Sequence, residues 1–277
     1  MTICLNKIRS VICDIDGTLT HDRSVHPSAY TIDVLERLHR KGFGFSLASG
    51  RSVDQLLELK DEWGLSFDFE LVIGLNGSEY YDGKRKENKT LYILQREDIR
   101  DIILKMIDKF PELNCSIYRD GMRLLRYEDK EAIESKKRTG INNYMVKDLS
   151  EMWDEPCSKV MFRVDEETME MIEPLSIAIS NDRFRCCKTQ TTMMEFVHAQ
   201  SNKGNALKDY CLSNGIDIDS FMAFGDMSND KELIEAAGIG VCMINGSADC
   251  KAVADLITEK DNNEDGCADF IDRNLLG

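Results

Sequence analysis

The stretch Asp14-Ile15-Asp16-Gly17-Thr18-Leu19-Thr20 limits what this chain can fold into more than any other. It follows the apolar run Val11-Ile12-Cys13, which reads as a buried strand of a parallel sheet. Two carboxylates two residues apart at a strand end point to the same side. Gly17 lets the chain turn sharply, and Thr18 and Thr20 add hydroxyls and backbone N–H groups to the same turn. Clustered carboxylates repel one another, so the arrangement asks for a cation or a raised pKa. Two plainer readings compete. Asp and Gly are common in turns that merely face water. An EF-hand calcium loop opens similarly, but its later Asp/Asn positions and closing Glu are missing here.

Strand and helix signals alternate on both sides of a long middle segment. Residues 27–41 read as a helix, with Ile32, Leu35 and Leu38 at three-residue spacing and Gly42 as its stop. Residues 43–48 read as a strand ending in Ser49-Gly50-Arg51, and 52–63 as the next helix. Leu71-Val72-Ile73 reads as a third strand, followed by Asn76-Gly77. This order predicts an α/β fold with a doubly wound, Rossmann-like parallel sheet, whose ligand crevice lies at the carboxyl ends of the strands. Asp14, Asp16 and Ser49 all fall at such ends.

The middle segment mixes hairpins with helices. A hairpin turn is expected at Tyr80-Tyr81-Asp82-Gly83-Lys84, and an amphipathic helix over 96–110. Two strands over 116–127, a charged helix over 129–139, a strand over 158–164, a helix over 166–176 and a hairpin over 183–197 follow. The pattern predicts an α+β domain over 82–189, inserted into a core formed by 1–81 and 190–277. After it, helices over 201–214, 230–237, 248–254 and 267–275 alternate with strands over 221–224, 239–243 and 256–258.

Two further stretches carry chemistry. Gly225-Asp226-Met227-Ser228-Asn229-Asp230 follows apolar Phe221-Met222-Ala223-Phe224 and again puts carboxylates at a strand end. One N-cap would need only one of these polar groups. Asp226 beside Asp14 and Asp16 would make an all-oxygen site suited to Mg²⁺. Lys203 lies in the first turn of a helix, where the dipole disfavours a cation unless an anion such as phosphate sits between. A Lys reaching to solvent, an N-capping Ser49 and an Arg51 paired with a nearby carboxylate are the structural alternatives. The four histidines show no metal-ligand spacing, and Arg119, Arg123 and Arg126 read as a solvated strand face rather than an anion site.

Composition narrows the partners. The chain has 277 residues, 35 basic against 50 acidic, for a formal net charge of -15. That balance argues against nucleic acid and against an anionic membrane surface. No apolar run reaches membrane-spanning length, and residues 1–10 lack the apolar core of a signal peptide. A cytoplasmic location is expected, with the ten scattered cysteines reduced.

Asp14-x-Asp16-Gly-Thr-Leu, Ser49-Gly-Arg51, Lys203-Gly and Gly225-Asp226-Met-x-Asn229-Asp230, in this order, resemble the four motifs of the haloacid dehalogenase superfamily. The forms are similar to those of its Cof-like phosphatase branch, as are Asn76-Gly77, Gly238-Ile-Gly-Val241 and Glu264-Asp-Gly266. Ile244-Asn245-Gly246 departs from the usual Gly-Asn-Ala, and His198 and Gln200 stand where Pro and Gly are usual. The resemblance implies that the insert is a cap domain closing over the active site. It also implies a Mg²⁺-dependent phosphatase acting on small phosphorylated metabolites, sugar phosphates first, through an aspartyl-phosphate. Asp14 would be the nucleophile and Asp16 the acid and base; Ser49 and Lys203 would hold the phosphoryl oxygens. Gly17, Thr18, Gly50, Arg51 and Asn229 would complete the phosphate and substrate contacts. Mg²⁺ would sit on Asp14, the backbone carbonyl of Asp16 and Asp226, with Asn229 and Asp230 in support. A phosphotransferase or phosphomutase using the same intermediate, and a non-catalytic phosphate-binding protein, are the alternatives. The dehalogenase and ATPase branches resemble the rest but lack the acid that Asp16 provides. A monomer or a small homo-oligomer is expected.

Overall fold

The computed structural model describes residues 5–22 and 24–277. They divide into two compact units, one running to Leu91 and resuming over Ser201–Gly277, the other Tyr92–Gln200. In the first, β1 (Ser10–Cys13), α1 (Ala29–Arg40), β2 (Gly44–Ala48), α2 (Val53–Glu62) and β3 (Leu71–Gly74) alternate. The hairpin of β4 (Glu79–Asp82) and β5 (Glu87–Thr90) follows. The second unit holds α3 (Arg96–Lys109), β6 (Ser116–Arg119), β7 (Met122–Leu125), α4 (Lys130–Thr139) and β8 (Asn143–Met145). It continues with β9 (Lys159–Arg163), α5 (Glu166–Ile179), β10 (Phe184–Gln190) and β11 (Met193–His198). The chain then returns through α6 (Lys203–Asn214), β12 (Phe221–Gly225), α7 (Lys231–Ala236) and β13 (Ile239–Cys242). It closes with α8 (Ala248–Val253), β14 (Leu256–Ile257) and α9 (Gly266–Ile271).

The first unit is built on one sheet in the order β14-β13-β12-β1-β2-β3-β4-β5. Every pairing from β14 to β3 is parallel, and the last two are antiparallel. Alternating residues of β1 feed two cores. Val11 and Cys13 join a cluster with Val34, Leu56 and Ile271, while Ile12 joins one with Leu207, Tyr210 and Leu233. Both faces are therefore covered, which is why Val11-Ile12-Cys13 shows no polar alternation. Each such fully buried aliphatic side chain contributes about 1.5–3 kcal/mol. Helix starts are set by side chains: Ser28 caps α1, and Ser52 with Gln55 forms a capping box on α2.

The second unit is a six-stranded sheet, β10-β11-β9-β6-β7-β8, antiparallel except for β8. Helices α3 and α5 pack on it through Ile99, Ile102, Met106, Met169 and Ile172. The limits of this unit lie later than the expected 82 and 189. The β4–β5 hairpin extends the first unit's sheet beyond β3, so the chain leaves that sheet only after Thr90. At the other end β11 is the neighbour of β9, and the hairpin cannot be cut from the second sheet before His198. The helix over 166–176 continues to Ile179 with Pro174 inside it. The three arginines are not a solvated face. Arg119 donates to the carbonyls of Glu151 and Met152, Arg123 to Ser135 and the Ala132 carbonyl, and Arg126 to the Pro111 and Leu113 carbonyls. They tie strands or strand ends to neighbouring turns and to α4, and most of the acceptors are backbone oxygens. The nine described cysteines are free thiols.

Close packing of α6 on α7 sets the position of Lys203. A Cβ built at Gly204 would lie 2.0 Å from the Glu232 carbonyl oxygen. Replacing Gly204 by Ala should therefore push the two helices apart, lower stability by about 1–3 kcal/mol in urea unfolding, and displace the lysine. Unchanged stability would show that the two helices have slack at this contact.

Candidate active site

Sheet order brings the acidic turns together. Strands β1 and β12 are parallel neighbours with Cys13 opposite Phe224, and the Asp14 N–H donates to the Phe224 carbonyl at 3.0 Å. Asp14 and the Gly225–Asp230 turn thus share the carboxyl edge of the sheet. Carboxylate oxygens of Asp14, Asp226 and Asp230 lie within 4.8 Å of one another, and all three residues are buried. Into this group reaches Lys203, the first residue of α6, whose helix is capped by Asn202. Its side chain is fully buried, with Nζ 2.6 Å from Asp14 Oδ1 and 2.5 Å from Asp230 Oδ1. The solvent-reaching alternative for Lys203 is thereby excluded.

Further hydrogen bonds hold Asp230 and Asp226 in place. Asp230 Oδ2 accepts the N–H groups of Asp226 and Met227, each at 3.1 Å. Thr18 donates its hydroxyl to Asp226 Oδ1 at 2.9 Å, and the Ser247 N–H donates to the Asp226 carbonyl at 2.7 Å. Gly17 has φ of 88°, and a Cβ there would fall 2.5 Å from Asp226 Oδ2. Only glycine allows both that backbone and that approach.

Three carboxylates against one ammonium leave the cluster short of positive charge. Burial pushes Asp14 up to about 8 against the pull of Lys203, with Asp230 and Asp226 adding to the rise. Burial and then Asp230 push Asp226 up to about 6. Burial favours a neutral Lys203, but Asp14 and Asp230 more than reverse this and keep it charged. An all-oxygen donor set with unmatched negative charge fits a hard divalent cation. Asp14, Asp226 and Asp230 are the residues that could hold one.

Asp16 is placed differently. Its side chain is 61% exposed and pairs with Arg51, whose Nη2 lies 2.7 and 3.0 Å from its two oxygens. The two carboxylates of the opening motif therefore do not share one pocket of charge. Asp14 turns into the cluster, while Asp16 meets a guanidinium at its edge. Ser49 is buried, and its hydroxyl accepts the Arg51 N–H at 3.4 Å. Asn229 donates to Asn76 Oδ1 at 3.1 Å, and the Asn76 side chain lies beside Gly50, 3.3 Å from where a Cβ would be. Asn76 was visible in the sequence only as part of Asn-Gly. Its role in joining these turns depends on a backbone conformation that residue type alone does not reveal.

A family model for haloacid dehalogenase-like hydrolases matches residues 11–271. The chain belongs to that family. Among relatives, an HMP-PP phosphatase of Escherichia fergusonii is 25% identical over 243 residues, covering 86% of this chain and 85% of that protein. The chloroplastic endoribonuclease YBEY of Arabidopsis thaliana is 27% identical over 298 residues, 96% of this chain. The chain spans only 46% of that protein's length. A haloacid dehalogenase-like hydrolase from Bacteroides thetaiotaomicron shares the fold, with a TM-score of 0.79 at 23% identity over 96% of this chain and 99% of that one. No described helix is long and apolar enough to cross a membrane.

The raised carboxylates give a pH dependence with a definite sign. Folded Asp14 and Asp226 hold protons that the unfolded chain, with carboxylates near 3.9, has already lost. Stability of the cation-free protein should therefore fall as pH rises from about 5 to 8. A saturating divalent cation should reverse this, binding more tightly toward pH 8 and releasing protons. Melting curves and calorimetry in two buffers measure both; a cation affinity that is flat over that range would contradict the cluster as its site.

Proposed function

We propose that this hydrolase is a Mg²⁺-dependent phosphatase of small phosphorylated metabolites, with sugar phosphates the first class to test. The observation that carries it is the buried group of Asp14, Lys203, Asp230 and Asp226 at the sheet's carboxyl edge, beside Ser49 and the Asp16–Arg51 pair. A carboxylate needs no base to act as a nucleophile. It needs relief from repulsion by a phosphate dianion, and the Lys203 ammonium supplies part of that. Mg²⁺ held by Asp14 and Asp226, with Asp230 behind them, would supply the rest by keeping the carboxylates ionised and neutralising phosphoryl charge.

Asp14 attacks phosphorus, the bond to the leaving oxygen breaks, and Asp16 gives that oxygen a proton. Asp16 then takes a proton from water as the water attacks phosphorus, freeing phosphate and the Asp14 carboxylate. Ser49, Gly50 and Lys203 hold the phosphoryl oxygens, and Thr18 and Asn229 fix the turns around them. Arg51 holds Asp16 where the leaving group departs. The HMP-PP phosphatase relative adds a pyrophosphate ester to the compounds worth assaying.

The test is phosphate release, with Mg²⁺, from a panel of sugar phosphates, nucleotides, flavin mononucleotide and pyridoxal phosphate. Asp14→Asn, which leaves Lys203 paired with Asp230, should lower turnover by at least about 10³-fold while its circular dichroism spectrum stays that of the folded wild type. Release by the variant at the wild-type rate would remove Asp14 from the reaction. Transfer to a sugar acceptor without net release would move the reading to a phosphotransferase.

A further inference from the structure

One strained turn at the sheet's carboxyl edge is not accounted for by the four motifs. Leu75, Asn76 and Gly77 follow one another with φ of 48°, 53° and 97°. Left-handed backbone suits glycine, is tolerated by asparagine and is disfavoured for leucine. Such a run persists only where its surroundings hold it, and it is a recurrent feature of functional sites.

The surroundings here are the site's own turns. The Leu75 N–H donates to the Arg51 carbonyl at 2.8 Å, and the Asn76 N–H to the Ser49 carbonyl at 3.0 Å. Asn76 Oδ1 accepts from Asn229 Nδ2 at 3.1 Å. The Ser201 hydroxyl meets Ser78 at 2.8 Å and the Asn76 carbonyl at 3.5 Å, two residues before Lys203. A Cβ at Gly77 would fall 2.1 Å from the Asn202 carbonyl, so the start of α6 rests directly on this turn. In the sheet, β3 is separated from β12 by β2 and β1. The bond between Asn76, just after β3, and Asn229, just after β12, therefore arches across the strand ends that carry Asp14 and Ser49.

We infer that Asn76 is a positioning residue: its side-chain amide ties the acidic Gly225–Asp230 turn to the phosphate-holding Ser49-Gly50-Arg51 turn. The left-handed backbone sends its N–H to one turn and its side chain to the other. The inference rests on the phosphatase reading for what the two turns bind, but the tie itself is a matter of geometry.

Two variants separate the amide from the backbone. Asn76→Gly keeps a residue at ease in this conformation and removes the amide alone; Asn76→Ala also adds strain. Orthophosphate binding with Mg²⁺ by calorimetry, kcat and KM on p-nitrophenyl phosphate, and melting temperature are the readouts. Asn76→Gly should weaken phosphate binding and raise KM by about tenfold, change kcat by less than about threefold, and melt within about 2 °C of wild type. Asn229→Ala should match it, and the double variant should bind phosphate no more than about threefold worse than either single one. Wild-type phosphate affinity in Asn76→Gly, or losses that multiply in the double variant, would overturn the inference. If the wild-type protein binds orthophosphate but hydrolyses no ester, the phosphatase reading falls and the binding arm still decides the role of Asn76. A wild-type protein that binds no orthophosphate overturns both.

Discussion

A fully buried ammonium shared by two buried carboxylates holds this site together. Lys203 contacts Asp14 and Asp230 at once, and all three come from separate parts of the chain. Removing one partner of such a group leaves an unmatched buried charge, which typically costs about 3–5 kcal/mol. The fold is arranged so that none is missing. Strands β1 and β12 are neighbours, which sets Asp14 beside the Gly225–Asp230 turn. Helix α6 starts on the Leu75-Asn76-Gly77 turn and packs on α7 at Gly204, which aims Lys203 between the two carboxylates.

The arrangement separates two kinds of carboxylate chemistry within three residues. Asp14 is enclosed among like charges and one ammonium, and burial raises its pKa against the pull of Lys203. Asp16 instead faces water and pairs with Arg51. Gly17, which follows Asp16, turns the chain in a left-handed conformation that also lets it lie against Asp226.

Much of this was legible in residue order. Val11-Ile12-Cys13, Leu71-Val72-Ile73 and Phe221-Met222-Ala223-Phe224 are buried on both faces of the sheet, and an unbroken apolar run is the signature of that burial. The acids after the first and last of these runs followed from the same reading. What was hidden has physical causes. Strand β5 is Glu87-Asn88-Lys89-Thr90, exposed throughout, and β8 is a three-residue edge strand; neither buries enough apolar surface to leave a pattern. The unit boundaries depended on which sheet each hairpin joins, a long-range pairing that local periodicity does not encode. The outward turn of Asp16 onto Arg51 and the left-handed run at Leu75 and Asn76 were set by long-range contacts that local residue order does not encode.

We propose that the buried acids and Lys203 form one site for a divalent cation and a phosphoryl group. Crystals grown with Mn²⁺ and orthophosphate would test it most directly, through the anomalous signal of the ion. One strong peak is expected between the carboxylates of Asp14 and Asp226, with phosphate against Lys203 and Ser49. A peak elsewhere on the chain, or none at a saturating concentration of the ion, would contradict it.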